Sequence, residues 1–161
     1  MKNVTIPYTS GKGYNYLINL SSIKKQDFLP ESVIIEKDIV DIVLELDKKT
    51  FGKSNDFGDL YRIAAIIYDF LENNDVILYY YCDIKPVKQR DNRTKISNQE
   101  YRSRLFSLMI DRFISADYEK TICKIPDSQN EIHYIHLISK IENSEQVKSL
   151  SSALINMGKN S

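Results

Sequence analysis

The chain has 161 residues, with 22 Lys plus Arg balanced by 22 Asp plus Glu, 42% hydrophobic and 27% charged residues, 11 Tyr, 6 Phe and no Trp. This is the composition of a globular domain, long enough for one hydrophobic core without disulfides or a structural metal. Zero formal net charge argues against a protein coated with polyanion, while leaving room for one basic patch on an otherwise acidic body.

From Val4 to Leu20 two extended segments flank Ser10-Gly11-Lys12-Gly13, where glycine supplies positive φ, and a hairpin is expected. A third strand is expected within Ile34 to Leu46. Its strongest part is Ile39 to Leu46, with positions 40, 42, 44 and 46 on one apolar face and Asp41 and Glu45 on the other. A helix follows from near Asp59, its stripe made by Leu60, Ile63, Ala64, Ile67, Phe70 and Leu71, and Asn73-Asn74 ends it. Val76 to Cys82 is β-branched and aromatic, which suits a central strand covered on both faces.

After an irregular basic loop, residues 84–96, Ser97 and Glu100 form a capping box for a helix running to about Ser115. Tyr101, Leu105, Leu108 and Met109 are expected on its buried face, with Phe106, Ile110 and Phe113 beside them. Glu119 to Ile125 and Glu131 to Lys140 read as a hairpin around a five-residue loop. Asn143 and Gln146 then cap a last helix whose seam is Val147, Leu150, Leu154 and Met157. The order β-β-β-α-β-α-β-β-α predicts a single α+β domain over residues 1–161: a mixed sheet with about three helices, packed largely on one face.

Cys82 and Cys123 sit in separate strands without zinc-like spacing and read as reduced, buried residues. The N-terminus lacks the apolar core of an export signal, and no apolar run approaches a bilayer span, so a cytoplasmic protein without membrane contact is expected.

The sequence offers few catalytic constellations. Gly11-Lys12-Gly13 lacks the third glycine and following helix of a phosphate-cradling loop. His133 and His136, the only histidines, are three apart on a strand and therefore face opposite ways, which does not suit a shared metal. Neither stands near a nucleophile in sequence. Cys82 ends a central strand before a helix, as in Cys-x5-Arg phosphatases, but the sixth residue on is Lys88 and the helix starts late. Asp47-Lys48-Lys49, with Asp38 or Asp41, is the pattern of a metal-dependent phosphodiesterase, in which the acids hold the ion and a lysine such as Lys49 stabilises charge. A solvated strand end is the simpler account of it.

One charge feature stands out. Lys85, Lys88, Arg90, Arg93, Lys95, Arg102 and Arg104 face only Asp91 and Glu100 within residues 85–104, a local charge of +5 that leaves −5 for the rest of the chain. The segment leaves the end of the central strand and enters a helix N-terminus, where anions collect. Arginine adds a planar fork for phosphate or carboxylate.

With Tyr81-Cys82-Asp83, the basic loop and Arg102-Ser103-Arg104-Leu105-Phe106, the chain resembles a family of small bacterial proteins classified only as a domain of unknown function. The likeness spans roughly residues 8 to 115, with a longer loop here and Met109-Ile110 where two aromatic residues are expected. It implies an intracellular protein with Asp83, Arg102 and Arg104 close together at the sheet's edge, and it supplies no activity. A carboxylate facing two arginines would be an ion pair of about 0 to 1 kcal/mol when exposed, or a device that preorganises the arginines for a ligand.

The expected function is a non-catalytic binding protein, without cofactor or metal. Its binding residues are Lys88, Arg90, Arg93, Arg102, Arg104 and Asp83, and its partner is an acidic protein or nucleic acid. The alternatives are a metal-dependent phosphodiesterase using Asp41, Asp47 and Lys49, and a module that forms a homodimer through the C-terminal helix.

Overall fold

A computed structural model describes residues 3–11, 13–46, 57–85 and 96–159. Among the described residues six strands form one sheet: β1 (Val4–Thr9), β2 (Asn15–Ser22), β3 (Ile39–Leu46), β4 (Ile77–Tyr81), β5 (Tyr118–Pro126) and β6 (Ile132–Lys140). The same residues hold three α-helices that interleave with them: α1 (Phe57–Asn73), α2 (Asn98–Asp111) and α3 (Ser144–Lys159). The α+β class and the element order are those the sequence predicts. The sheet runs β1-β2-β3-β4-β6-β5, and only β3 and β4 are parallel.

The first hairpin closes as the glycines require. Ser10 N donates to Tyr14 O at 2.8 Å, Gly13 N to Ser10 O at 2.9 Å, and Gly13 holds φ at +81°, where a Cβ would be strained. Gly13 is therefore the residue on which the turn depends.

Alternation along the strands builds two cores. Ile18, Leu20, Val40, Ile42, Leu78 and Ile138 share the face covered by α1 and α2, where Ile63, Ile67, Phe70, Phe106 and Ile110 meet them. Ile39, Ile77, Cys123, Ile125, Ile135 and Leu137 face the opposite way, under α3 and the segment carrying Leu29 and Ile35. The expectation that the helices lie largely on one face holds for two of the three. The odd-numbered apolar residues of β4, β5 and β6 form a second face that itself requires cover, and α3 supplies it. Strand β4 is central and buried on both sides at Ile77 and Leu78. The third strand starts at Ile39 rather than Ile34, because residues 23–38 form a strap that places Leu29 and Ile35 over that second face.

Two local readings change. Ser97 does cap α2, accepting from Glu100 N at 3.2 Å, yet the buried residues of α2 are Gln99, Ser103, Phe106, Met109 and Ile110. Leu108 is 57% exposed. The helix turns this way because Gln99 and Ser103 find partners on β6, at Ile132 O and at the buried His136 Nε2, and a satisfied polar group is inexpensive to bury. Asn143 and Gln146 also serve a different purpose from a cap. Asn143 Nδ2 donates to Asp75 Oδ1 (2.8 Å) and Ser139 Oγ (2.9 Å), while Gln146 Oε1 accepts from the backbone N–H groups of Glu36 and Lys37. Both residues tie the start of α3 to neighbouring segments.

Candidate functional site

Strand β4 ends at Tyr81, and the chain leaves the sheet through Cys82, Asp83, Ile84 and Lys85. Here the structure brings together residues from β4, the N-terminal half of α2 and the β5–β6 hairpin. Asp83 Oδ1 accepts from Lys85 N at 2.9 Å, an Asx turn that bends the chain away from the sheet. Arg102, one turn into α2, donates through Nη1 to Asp83 O at 2.6 Å and Lys85 O at 2.5 Å, and Asn98 Nδ2 donates to Ile84 O at 3.2 Å. Three carbonyls at the start of the basic segment are thus held by two side chains from its far end.

This revises the expected carboxylate–arginine cluster. Arg102 engages the backbone of Asp83, and the Asp83 carboxylate has Lys85 Nζ at 3.9 Å. Arg104 pairs along its own helix with Glu100 at 3.1 Å and is 64% exposed. The trio lies at the end of the central strand rather than at a sheet edge, since β1 and β5 are the edges. Arg102 is a latch, and the exposed cation is Arg104. Lys88, Arg90 and Arg93, the remaining expected binding residues, lie outside the described residues, as does most of the loop expected at 84–96.

On the α2 side of the sheet the same strand end carries Cys82, Ser103 and His136. Burial pushes the Cys82 thiol up to about 12, against the opposing pull of the Arg102 charge and a hydrogen bond from Ser103. A thiol held protonated in this way is a poor nucleophile, so the phosphatase-like reading of Cys82 finds no support in its surroundings. His136 is fully buried, with Nε2 2.8 Å from Ser103 Oγ and its ring edge-on to Phe106 at 5.1 Å. Its Nδ1 is buried with no hydrogen-bond partner among the described residues. Burial, reinforced by the nearby Lys120 charge and opposed by Asp111, pushes His136 down to about 4. His136 is therefore a neutral core residue.

The opposite side of the strand end holds a chain of side chains that sequence reasoning missed. Tyr81 Oη lies 2.8 Å from His133 Nδ1, and His133 Nε2 lies 2.9 Å from Asp127 Oδ2. The Tyr81 and His133 rings are stacked, 6.0 Å apart at 21°. Asp127 is fixed by its other oxygen, which accepts from Gln129 N and Glu131 N in the β5–β6 turn. The hydrogen bond from His133, followed by those backbone donors, holds the Asp127 carboxyl below the usual range. An ionised Asp127 accepts only, which puts the proton on Nε2 and leaves Nδ1 to accept from the Tyr81 hydroxyl. Tyr81 is 37% exposed. Its pKa is raised by burial first and then by the charges of Asp83, Glu131, Cys82 and Asp127. The two histidines do face opposite sides of β6, as the alternation predicts. The signal available in sequence was an aspartate opening the hairpin loop, with a histidine just after it.

Of the expected metal-binding set, Asp41 is half-buried on β3, its carboxyl raised by burial, and Asp47 and Lys49 lie outside the described residues. Among the described residues no group of three or more His, Cys, Asp or Glu side chains is placed to hold a metal ion, and no helix is long and apolar enough to cross a membrane. The seam expected to form a homodimer is used internally: Val147, Leu150 and Leu154 are buried against the sheet, and Met157 is its exposed member. The chain matches no family model and no curated protein.

Proposed function

We propose that the chain is a cytoplasmic nucleic-acid-binding module that engages phosphates through the cationic segment between Lys85 and Arg104. The observation that carries this reading is the closure of that segment at its base by Arg102 and Asn98. A run with a charge of +5 is thereby anchored to the rigid end of a central strand and to the capped N-terminus of a helix. Its middle, Lys88 to Lys95, contains four cations and no apolar or aromatic residue. Protein interfaces draw most of their affinity from aromatic and aliphatic anchors, whereas a phosphate backbone is bound by dense, fixed cations that displace its counterions. The composition therefore favours nucleic acid over an acidic protein.

The test is fluorescence anisotropy of labelled RNA and DNA with EDTA present, comparing the wild type with a Lys88→Ala, Arg90→Ala, Arg93→Ala triple variant. Binding is expected to be lost in the variant while its thermal midpoint stays within a few degrees. A folded variant that binds as well as the wild type contradicts the reading, and capture of an acidic protein without nucleic-acid binding replaces it.

A further inference from the structure

A groove between α1 and α2 is lined by Leu60, Tyr61, Leu105, Leu108, Met109 and Arg112. Met109 is buried, Leu60 and Leu105 are half-buried, and Leu108 stands 57% exposed at the lip. One wall is already set. The Tyr61 ring meets Phe113 edge-on at 5.6 Å, and the Arg112 guanidinium carbon lies 4.3 Å from the centre of the same ring. A single exposed leucine on a surface needs no explanation, but one that continues a preformed apolar groove makes a patch of the kind partners use.

The charges beside the groove are arranged as regularly as its floor. Arg104, Leu108 and Arg112 follow one another at four-residue intervals, and Arg112, the C-cap of α2, keeps the helical backbone conformation. They therefore form one line along α2, with an arginine one turn to either side of the leucine and about 12 Å between the two arginine Cα atoms. No lining residue is a carboxylate. The acids of the adjoining turns are occupied: Asp59 is buried and accepts from Tyr8 Oη at 3.0 Å, and Asp111 pairs with Lys120 on β5. Glu100 pairs with Arg104 in an exposed contact one turn apart, which is worth little and is readily exchanged for another carboxylate.

Both walls are helices whose backbone groups are bonded internally, so an occupant finds no strand edge to pair with and must satisfy its own backbone. That occupant is a helix. A second copy of α2 does not suit. An antiparallel pairing centred on Leu108 sets Arg104 against the second copy's Arg112, and a parallel pairing sets each arginine against itself. The aliphatic floor offers the anchors that protein interfaces use, which a phosphate backbone does not. We propose that this groove docks an acidic amphipathic helix of a partner protein. An apolar side chain of that helix seats against Leu105, Leu108 and Tyr61, and carboxylates one turn to either side of it meet Arg104 and Arg112. The proposal stands independently of the nucleic-acid reading, with which it shares only Arg104.

The experiment titrates the full chain into a fluorescein-labelled, Ala-rich helical peptide of about 18 residues, with a central Leu, further Leu residues on the same face, and Glu four residues before and after the centre. A second peptide carries Lys in place of Glu. Saturable binding of the Glu peptide that weakens with salt is expected, with little binding of the Lys peptide. Leu108→Glu is expected to weaken binding about tenfold or more, as loss of a central anchor does, with its thermal midpoint unchanged because the side chain is exposed. The Arg104→Glu, Arg112→Glu double variant is expected to reverse the preference and take the Lys peptide, which a general loosening of the helices does not produce. No saturable binding of the Glu peptide, or equal affinity for the two peptides, overturns the proposal. A wild-type dimer that Leu108→Glu dissociates gives the groove to a second copy, and loss of RNA affinity in Leu108→Glu gives it to nucleic acid; either result also overturns it.

Discussion

His136 Nε2 stands 2.8 Å from Ser103 Oγ with both side chains buried, so the N-terminal half of α2 is fastened to β6 by a polar bond inside the core. The remaining ring nitrogen, Nδ1, has no partner among the described residues, and a proton placed there would add an unpaired charge to an apolar setting. With His136 pushed down to about 4 from the ordinary 6.5, the unfolded chain takes up the proton first as pH falls. Its contribution is fully present above about 6.5 and is lost between there and about 4, on the order of 3 kcal/mol in all. Urea unfolding measured across this window should show that loss. His136→Gln, which does not titrate, should remove this part of the pH dependence; an unchanged profile in the variant would assign the acid sensitivity elsewhere.

Arg102 holds two carbonyls through Nη1 of its guanidinium, and a lysine ammonium, on a shorter side chain and more strongly hydrated, is a poorer donor at that place. Arg102→Lys is expected to cost about 1 to 2 kcal/mol, given about 1.5 to 3 kcal/mol for a charged hydrogen bond reduced by partial exposure. Nucleic-acid affinity should fall as well, because the base of the loop opens although its charge is kept. The thermal midpoint and the anisotropy of the same preparation check both effects.

Gly158, in the last turn of α3, has no room for a side chain: a Cβ there would overlap Ile125 Cγ2 on β5. Gly158→Ala should destabilise the fold by about 1 to 3 kcal/mol, the usual cost of overpacking. Ile125→Leu removes the branch that clashes, so the double variant should be more stable than the sum of the two single losses. A double-mutant cycle by chemical denaturation reads that coupling.

Asn143 joins Asp75, which also pairs with Lys37, to Ser139, whose hydroxyl donates to Val76 O. Asn143→Ala should cost about 1 to 2 kcal/mol, since Ser139 is fully buried and loses a donor while Asp75 stays in contact with water. Equilibrium urea unfolding is sufficient to measure it.

The elements were legible because their signals are local. Alternation marks β3, the five-residue loop marks the β5–β6 hairpin, the stripe from Ile63 to Leu71 marks α1, and Gly13 and Ser97 occupy the turn and the cap that their chemistry suits. What was not legible depends on partners distant in sequence. Gln99 and Ser103 look like solvent positions until Ile132 O and His136 are placed against them, and that pairing sets the rotation of α2 and exposes Leu108. Asn143 and Gln146 have the spacing of a cap, but Asp75 and the strap at Glu36 and Lys37 compete for their side chains. At the site, charge was readable and geometry was not: nothing local shows that Arg102 meets carbonyls rather than the Asp83 carboxylate. In the Tyr81–His133–Asp127 chain the β5–β6 hairpin joins Asp127 to His133, and only the β4–β6 register brings Tyr81 to them.

The central claim is that the closed cationic segment binds phosphate backbones, and its most direct test is the salt dependence of RNA affinity for the wild type and the Lys88, Arg90, Arg93 triple alanine variant. For single strands the slope of log K against log salt is about −0.7 per phosphate contact, so three lost contacts should make the slope shallower by about 2, with weaker binding at every salt concentration. Identical slopes for the two proteins, or no saturable binding by the wild type at low salt, would contradict the account.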